Sequence, residues 1–445
     1  MDFAAFKNAV IAKAQAMGIA DYELYYQAAE STSVSAFQHE LNQFTDSIEG
    51  GVCFRCIVNG KMGYASTEEL SLAQAETVVA RAADNACVLE AEEPVFLGEG
   101  GKTYQPVVSK NCTVPATDAL IAKVLSTQEE IYAADPAVVD GSSTQGIYER
   151  SQIAIVNSKG LDLHSETVLT GLVVAAVVSD GKEMANDYQI KLGDLDTVDT
   201  KALTVKAAES ALRKLGGDVA PTGQYNVVFD PEAMSDLLAT FSGVFSSEAA
   251  QKGLSKLADK EGEIIASEIV TLVDDPFHKD SPVNRSFDAE GSPTYTKNII
   301  EKGVFKTLLY NLKTAAVAGK VTTGNASKAA YDSPIGVRPF TLYLAGGDLT
   351  EEALLTQAEK GVYINSLSGL HAGANPITGD FSLQSAGFMI ENGKKTTPVK
   401  SFTVAGNFYQ LLKNIKAVAN NVELPGMASF GAPSVLVEGL SVAGK

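Results

Sequence analysis

The chain has 445 residues, enough for two or three domains that each bury a core. Hydrophobic residues make up 45% and charged residues 20%, which excludes disordered, collagen-like and low-complexity classes. The formal net charge is −19, and an acidic surface repels phosphate backbones, so direct nucleic-acid binding is not expected.

The start, Met1-Asp2-Phe3-Ala4-Ala5-Phe6-Lys7, lacks the cationic residues and apolar block of a secretory signal. The apolar run Leu172 to Val178 is far shorter than a bilayer span. The expectation is a cytoplasmic protein with no membrane partner. Phe3, Phe6, Val10 and Met17 recur at helical spacing and stop at Gly18, predicting an amphipathic helix. From Tyr22 to Tyr64 the pattern alternates like strands, with turn signals at Glu49-Gly50-Gly51 and Asn59-Gly60. Ser71 with Gln74 predicts a capping box and a helix to about Leu89, followed by a loop from Glu90 to Gly101.

A second helix opens at Thr117 and must end by Asp135, because Pro136 follows. Three strand-like runs come next: Ile147 to Val156, Leu161 to Thr170 and Gly171 to Val178. The last has no polar face and predicts a strand covered on both sides. Asp199 or Thr200 caps a further helix through Leu215. Gly and Pro then cluster from Leu215 to Gly223, which marks the main domain boundary. The expected division is residues 1–215, with two sub-regions splitting near residue 115, and residues 222–445. A strand from Tyr225 to Phe229 opens the second domain. Asp230 as N-cap and Pro231 at the first helical position start its first helix. Beyond Gly262, closely spaced turn cues predict short antiparallel strands. The fold class is α+β: an N-terminal region of antiparallel sheet and helices, then a larger, mainly antiparallel β domain.

Candidate chemistry is sparse. Cys53-Phe54-Arg55-Cys56 spells CxxC, but in a strand positions three apart face opposite sides, so the thiols diverge. Gly98 to Thr103 lacks the leading Gly of a phosphate loop, since Phe96 stands there. His39-Glu40 begins like a zinc-peptidase motif without the second His, and its alternation predicts a solvated strand histidine. His164 and His278 have no second His in helical reach. Asp274-Asp275 and Asp288 with Glu290 read as turn acids or, alternatively, as general acid/base pairs. Gly369 to Ser382 concentrates glycines, His371, Asn375, Gly379, Asp380 and Ser382. That composition suits either a pair of β-turns or a backbone-lined peptide or partner contact.

The run Asn375 to Ser382, then Ala386-Gly387-Phe388 and Glu391-Asn392-Gly393, is similar to the C-terminal signature of the TldD/PmbA family. Phe287 to Gly291, Thr403 to Asn407, Val437 to Gly444, Gln38 to Gly51 and Gly60 to Tyr64 match as well, so the resemblance covers nearly the whole chain. In that family the TldD branch carries His-Glu-x-x-x-His on the first helix of the C-terminal domain, plus a late Cys, to bind zinc. Here those six positions fall on Leu238 to Gly243. Leu238, Ala239 and Gly243 stand where ligands or the general base would be, and no Cys follows Cys112. This pattern resembles the PmbA (TldE) branch.

The resemblance implies a non-catalytic subunit with no catalytic residues, no metal and no cofactor of its own, zinc being expected only in a TldD-like partner. Partners implied are that subunit, in a heterodimer or higher assembly, a homodimer when it is missing, and peptides to be degraded or matured. Two alternatives stand beside it. One is a regulator of the DNA gyrase modulator type without a proteolytic role. The other is a stand-alone peptidase using His371 with Asp380.

Overall fold

The computed structural model describes residues 1–90, 94–426 and 429–445. Part of the loop expected from Glu90 to Gly101, residues 91–93, lies outside the described residues. Asp2 caps α1 (Phe3–Ala16) by accepting from the Ala5 amide, and α1 buries Phe6, Val10 and Ala14 as one stripe. There follow β1 (Asp21–Phe37), β2 (Glu40–Val58), β3 (Lys61–Thr67), α2 (Leu72–Val88), α3 (Thr117–Ala134), β4 (Ser143–Asn157), β5 (Asp162–Ser179), β6 (Met184–Leu192) and α4 (Thr200–Leu212).

The six strands make one antiparallel sheet in the order β3-β2-β1-β4-β5-β6. Leu24 and Val34 lie an even number of residues apart in β1, so they share a face. Leu24 packs under α1 and α2 with Phe6, Phe54 and Val79, and Val34 packs under α3 and α4 with Val124, Leu172 and Ala207. Tyr25, on the opposite face, clusters with Cys53, Ile155 and Leu161 and with Phe287, which comes from the C-terminal half. Cys53 joins that second cluster and Cys56 the helix-side one, so the two thiols do diverge.

The second half contains β7 (Asp218–Val219), β8 (Gly223–Phe229), α5 (Pro231–Phe241), a 3-10 turn at Ser242–Phe245, α6 (Ser247–Gln251), β9 (Leu272–Asp274), β10 (Lys297–Glu301), β11 (Val304–Phe305) and α7 (Leu312–Val317). It continues with β12 (Ala326–Ser327), β13 (Gly336–Val337), β14 (Leu342–Leu344), α8 (Glu351–Ala358), β15 (Lys360–Ser368), α9 (Leu370–Gly373), β16 (Asp380–Glu391) and β17 (Lys394–Asn407). Last come α10 (Phe408–Lys413), β18 (Ile415–Val418), β19 (Phe430–Gly431) and β20 (Val435–Ala443). The main sheet runs β18-β20-β8-β15-β16-β17-β7, and a further β20–β17 pairing closes β20, β8, β15, β16 and β17 on themselves. Its core takes in Phe229, Leu238, Phe241, Val404 and Val437, with the Phe241 and Phe408 rings stacked 4.6 Å apart. The architecture is α+β, with a mainly antiparallel, strand-rich C-terminal half.

Several local expectations are corrected. The chain does not turn at Glu49-Gly50-Gly51, because β2 runs straight through it. Gly is needed there for close packing: a Cβ on Gly50 would lie 2.4 Å from the Gln27 carbonyl oxygen, and one on Gly51 2.5 Å from that of Thr67. The hairpin instead reverses at Gln38 and His39, both in the left-handed region (φ 50° and 65°). His39 is therefore a turn residue, not a strand histidine; it stacks on Tyr132 and hydrogen-bonds Glu129. Leu161 to Thr170 and Gly171 to Val178 are not separate strands but lie along β5. In β5, Leu172, Val174, Ala176 and Val178 are buried on the helices, whereas Val173, Ala175 and Val177 are only half-buried, so cover is one-sided. Ser71 accepts from the Gln74 amide, which caps α2 with half of the expected box.

Candidate functional site

The Gly369 to Ser382 loop is held by its own domain. Asn375 Oδ1 accepts from the Ile377 and Thr378 amides (3.0 and 3.2 Å). The Thr378 carbonyl accepts from Lys256 Nζ at 2.7 Å and from Asn407 Nδ2 at 2.9 Å. The same Asn407 amide donates to Asp380 Oδ1 at 2.8 Å, and with the Thr378 hydroxyl it holds the Asp380 carboxyl below the usual range. Gly379 has φ 83°, and a Cβ there would sit 2.5 Å from the Tyr409 ring, so glycine is required.

The structure thus gathers Asn375, Gly379 and Asp380 around Asn407 and Lys256, partners that the sequence reading did not single out. His371 and Ser382 stand apart on the surface. Among the described residues His371 forms no ion pair with Asp380, so the geometry does not assemble a His–Asp dyad.

The degenerate motif positions lie at the end of α5. Asp230 Oδ1 accepts from the Ala233 amide at 2.8 Å, and Pro231 follows at the first position. Met234, Leu237, Leu238 and Phe241 point into the core. Asp236, Ala239, Thr240 and Gly243 lie on the other face. Leu238 is fully buried and takes no part in the cleft; Ala239 and Gly243 line it. The cleft is a cavity of about 280 Å³ between the helix end and the segment Val337-Arg338-Pro339, with Leu309 at its floor. An ideal Cβ on Gly243 would meet no atom within 4 Å, so the space above it is open.

The side chains lining this cleft are apolar groups, the hydroxyls of Thr240, Ser242 and Ser246, and one guanidinium. They include no imidazole, thiol or carboxylate, so this donor set does not fit a zinc ion. Among the described residues no cluster of three His, Cys, Asp or Glu is placed to hold a metal elsewhere. Asp236, on the same helix face, is pushed up to about 6 by burial.

Of the two pairs of acids named above, Asp274, Asp288 and Glu290 are buried and Asp275 is half-buried. Asp274 is not a turn acid: it accepts from Lys297 Nζ at 3.1 Å, Asn325 Nδ2 at 2.7 Å and the Phe340 amide at 2.7 Å. Asp275 does hold a turn, accepting from the Phe277 amide. Asp288 accepts from the amides of Glu290, Ser292 and Ala326, at 2.9, 2.9 and 3.0 Å. Glu290 accepts from the Leu312 amide at 2.8 Å.

On the face of the N-terminal sheet that meets the C-terminal half, Glu23 and Arg55 form a buried ion pair at 2.6 Å, and Asn157 joins Glu23 to the Gly98 carbonyl. Burial, reinforced by Asp288, pushes the Glu290 carboxyl up, and Arg55 opposes that. No sequence signal linked Glu23 and Arg55 to Glu290, because the charges influence one another only once the two halves are packed together.

Comparisons with known proteins identify the family. The families described as PmbA/TldA metallopeptidase domain 1, central domain and C-terminal domain match residues 22–86, 111–215 and 222–444. A metalloprotease of Methanothermobacter thermautotrophicus is 28% identical over 89% of this chain and 87% of its own length. A metalloprotease PmbA homolog of Haemophilus influenzae is 25% identical over 96% and 92%. The crystal structure of a Thermotoga maritima protein, described as a modulator of a DNA gyrase, superposes with a TM-score of 0.90. It is 31% identical and covers 99% of this chain and 100% of that one. Matched from its first sheet to its last strand, the chain belongs to the PmbA/TldD metallopeptidase-related family and is PmbA/TldE-like.

Proposed function

We propose that this chain is the non-catalytic subunit of a cytoplasmic, two-component zinc peptidase that degrades or matures peptides. Its partner is a TldD-like chain carrying His-Glu-x-x-x-His, which supplies the zinc and the activated water. The observation that carries this reading is the end of α5. Where a ligand-bearing helix would aim imidazoles, Ala239 and Gly243 present almost no side chain to a cleft without a zinc donor set. A chain with this helix end contributes walls, backbone edges and docking surface rather than metal chemistry. Peptides would lie extended along exposed strand edges of the assembled cavity.

Co-expression tests it. The two chains are expected to co-purify as a stable complex that cleaves unstructured peptides and loses activity on chelation. Substitution of the partner's motif histidines is expected to abolish cleavage, whereas His371→Ala in this chain leaves it intact. Failure to associate, or activity in this chain by itself that vanishes in His371→Ala, would overturn the reading.

A further inference from the structure

We infer that the cleft at the end of α5 is a carboxylate-binding site that receives the free C-terminus of a peptide. This rests on the reading above and names what that pocket holds. The chain has 54 acidic and 35 Lys and Arg residues, yet among the described residues the one charged side chain lining this cleft is Arg338. Arg338 is exposed and, among the described residues, forms no ion pair. In so acidic a protein, an unneutralised guanidinium in a concave site is a natural counterpart for a ligand anion.

Ser246 supplies a second donor. It is nearly buried, its Oγ accepts from the Ala249 amide at 3.4 Å, and its own hydroxyl proton has no acceptor among the described residues. The protons of Thr240 and Ser242 are already given to the Asp236 and Ala239 carbonyls. The floor beside Arg338 is apolar, formed by Leu309 and Val337, and the open space over Gly243 admits a side chain. One fork-shaped cation, one hydroxyl and an apolar step suit a carboxylate with an aliphatic neighbour. A polyphosphate would bring several negative charges to a site served by a single cation, which favours a monoanion.

The test uses the full-length chain and fluorescence anisotropy with labelled, unstructured peptides. Three matched forms are compared: free C-terminal acid, C-terminal amide, and an amide with an internal Glu. The acid is expected to bind at least about tenfold more tightly than the plain amide, from the loss of a charge-assisted contact. Arg338→Ala is expected to erase that difference, Arg338→Lys to restore part of it, and Gly243→Leu to block binding of all three forms by filling the space. Equal binding of acid and amide, or acid-selective binding that survives Arg338→Ala, overturns the proposal, as does no binding by any form. If the internal-Glu amide matches the acid, the carboxylate is recognised but the chain terminus is not, and the C-terminus assignment falls. Because the complex with the zinc-bearing partner is scored separately, a subunit that assembles and supports cleavage while failing here would sink this inference only.

Discussion

At the scale of single residues, the side chains that matter most are those whose neighbours leave no slack. Gly379 shows this: its left-handed φ was hinted at by a glycine-rich stretch, but the Tyr409 ring that forbids a Cβ is thirty residues downstream. Gly379→Ala is expected to lower stability by about 1–3 kcal/mol, read in urea melts. It should also disturb Tyr409, over whose ring Lys256 Nζ lies 5.5 Å from the centroid. Arg55 is the second such case. Arg55→Ala leaves Glu23 buried without its cation, and a loss of about 3–5 kcal/mol is expected. Replacing both by Met should cost much less, since an apolar pair leaves no charge stranded. Equal losses in the single and double variants would contradict this assignment. Sequence inspection could not find that pair, because Arg55 sits inside a CxxC whose spacing drew attention to the thiols instead.

Among the elements, α5 was the most legible. Asp230, Pro231 and the apolar spacing of Met234, Leu237, Leu238 and Phe241 set its start and its buried face. The missing zinc ligands were equally visible in the letters. What pattern could not show is which motif position reaches the cleft: Leu238 turns inward while Ala239 and Gly243 turn out, and the opposite wall comes from residues a hundred positions later. Strand boundaries were less legible. Gly50-Gly51 and Thr170-Gly171 look like breaks, yet both lie inside long strands because glycine there answers to the close approach of an adjacent strand rather than to a turn. The acids of α5 also carry a pH signature. Burial pushes Asp230 up to about 7 and Asp236 up to about 6. A carboxyl raised on folding binds its proton more tightly in the native state, so its contribution is present at acid pH and fades as pH rises. Stability is therefore expected to decline between about pH 4 and pH 7, and Asp230→Asn, which keeps an N-cap acceptor, should flatten that slope in thermal melts. A steeper slope in Asp230→Asn would contradict it.

For the molecule as a whole, the two halves are joined by a hydrogen-bonded seam that is half-buried to exposed. Tyr104 donates to the Gly291 carbonyl, Lys110 Nζ to the carbonyls of His278, Lys279 and Ser281, and Tyr331 to Glu68. Lys110→Met is expected to remove a donor shared by three carbonyls, of which the His278 carbonyl keeps the Ser281 amide, and to raise amide exchange across residues 278–281, measurable by hydrogen–deuterium exchange, while leaving α5 protected. Among the described residues no helix is long and apolar enough to cross a membrane. The central claim is that zinc belongs to a partner and not to this chain. Metal analysis of the purified chain, of a His-Glu-x-x-x-His partner, and of their complex tests it most directly. The account predicts no retained zinc in the first and one zinc per partner chain in the other two. Stoichiometric zinc in the first sample, lost on substituting this chain's own side chains near α5, would contradict it.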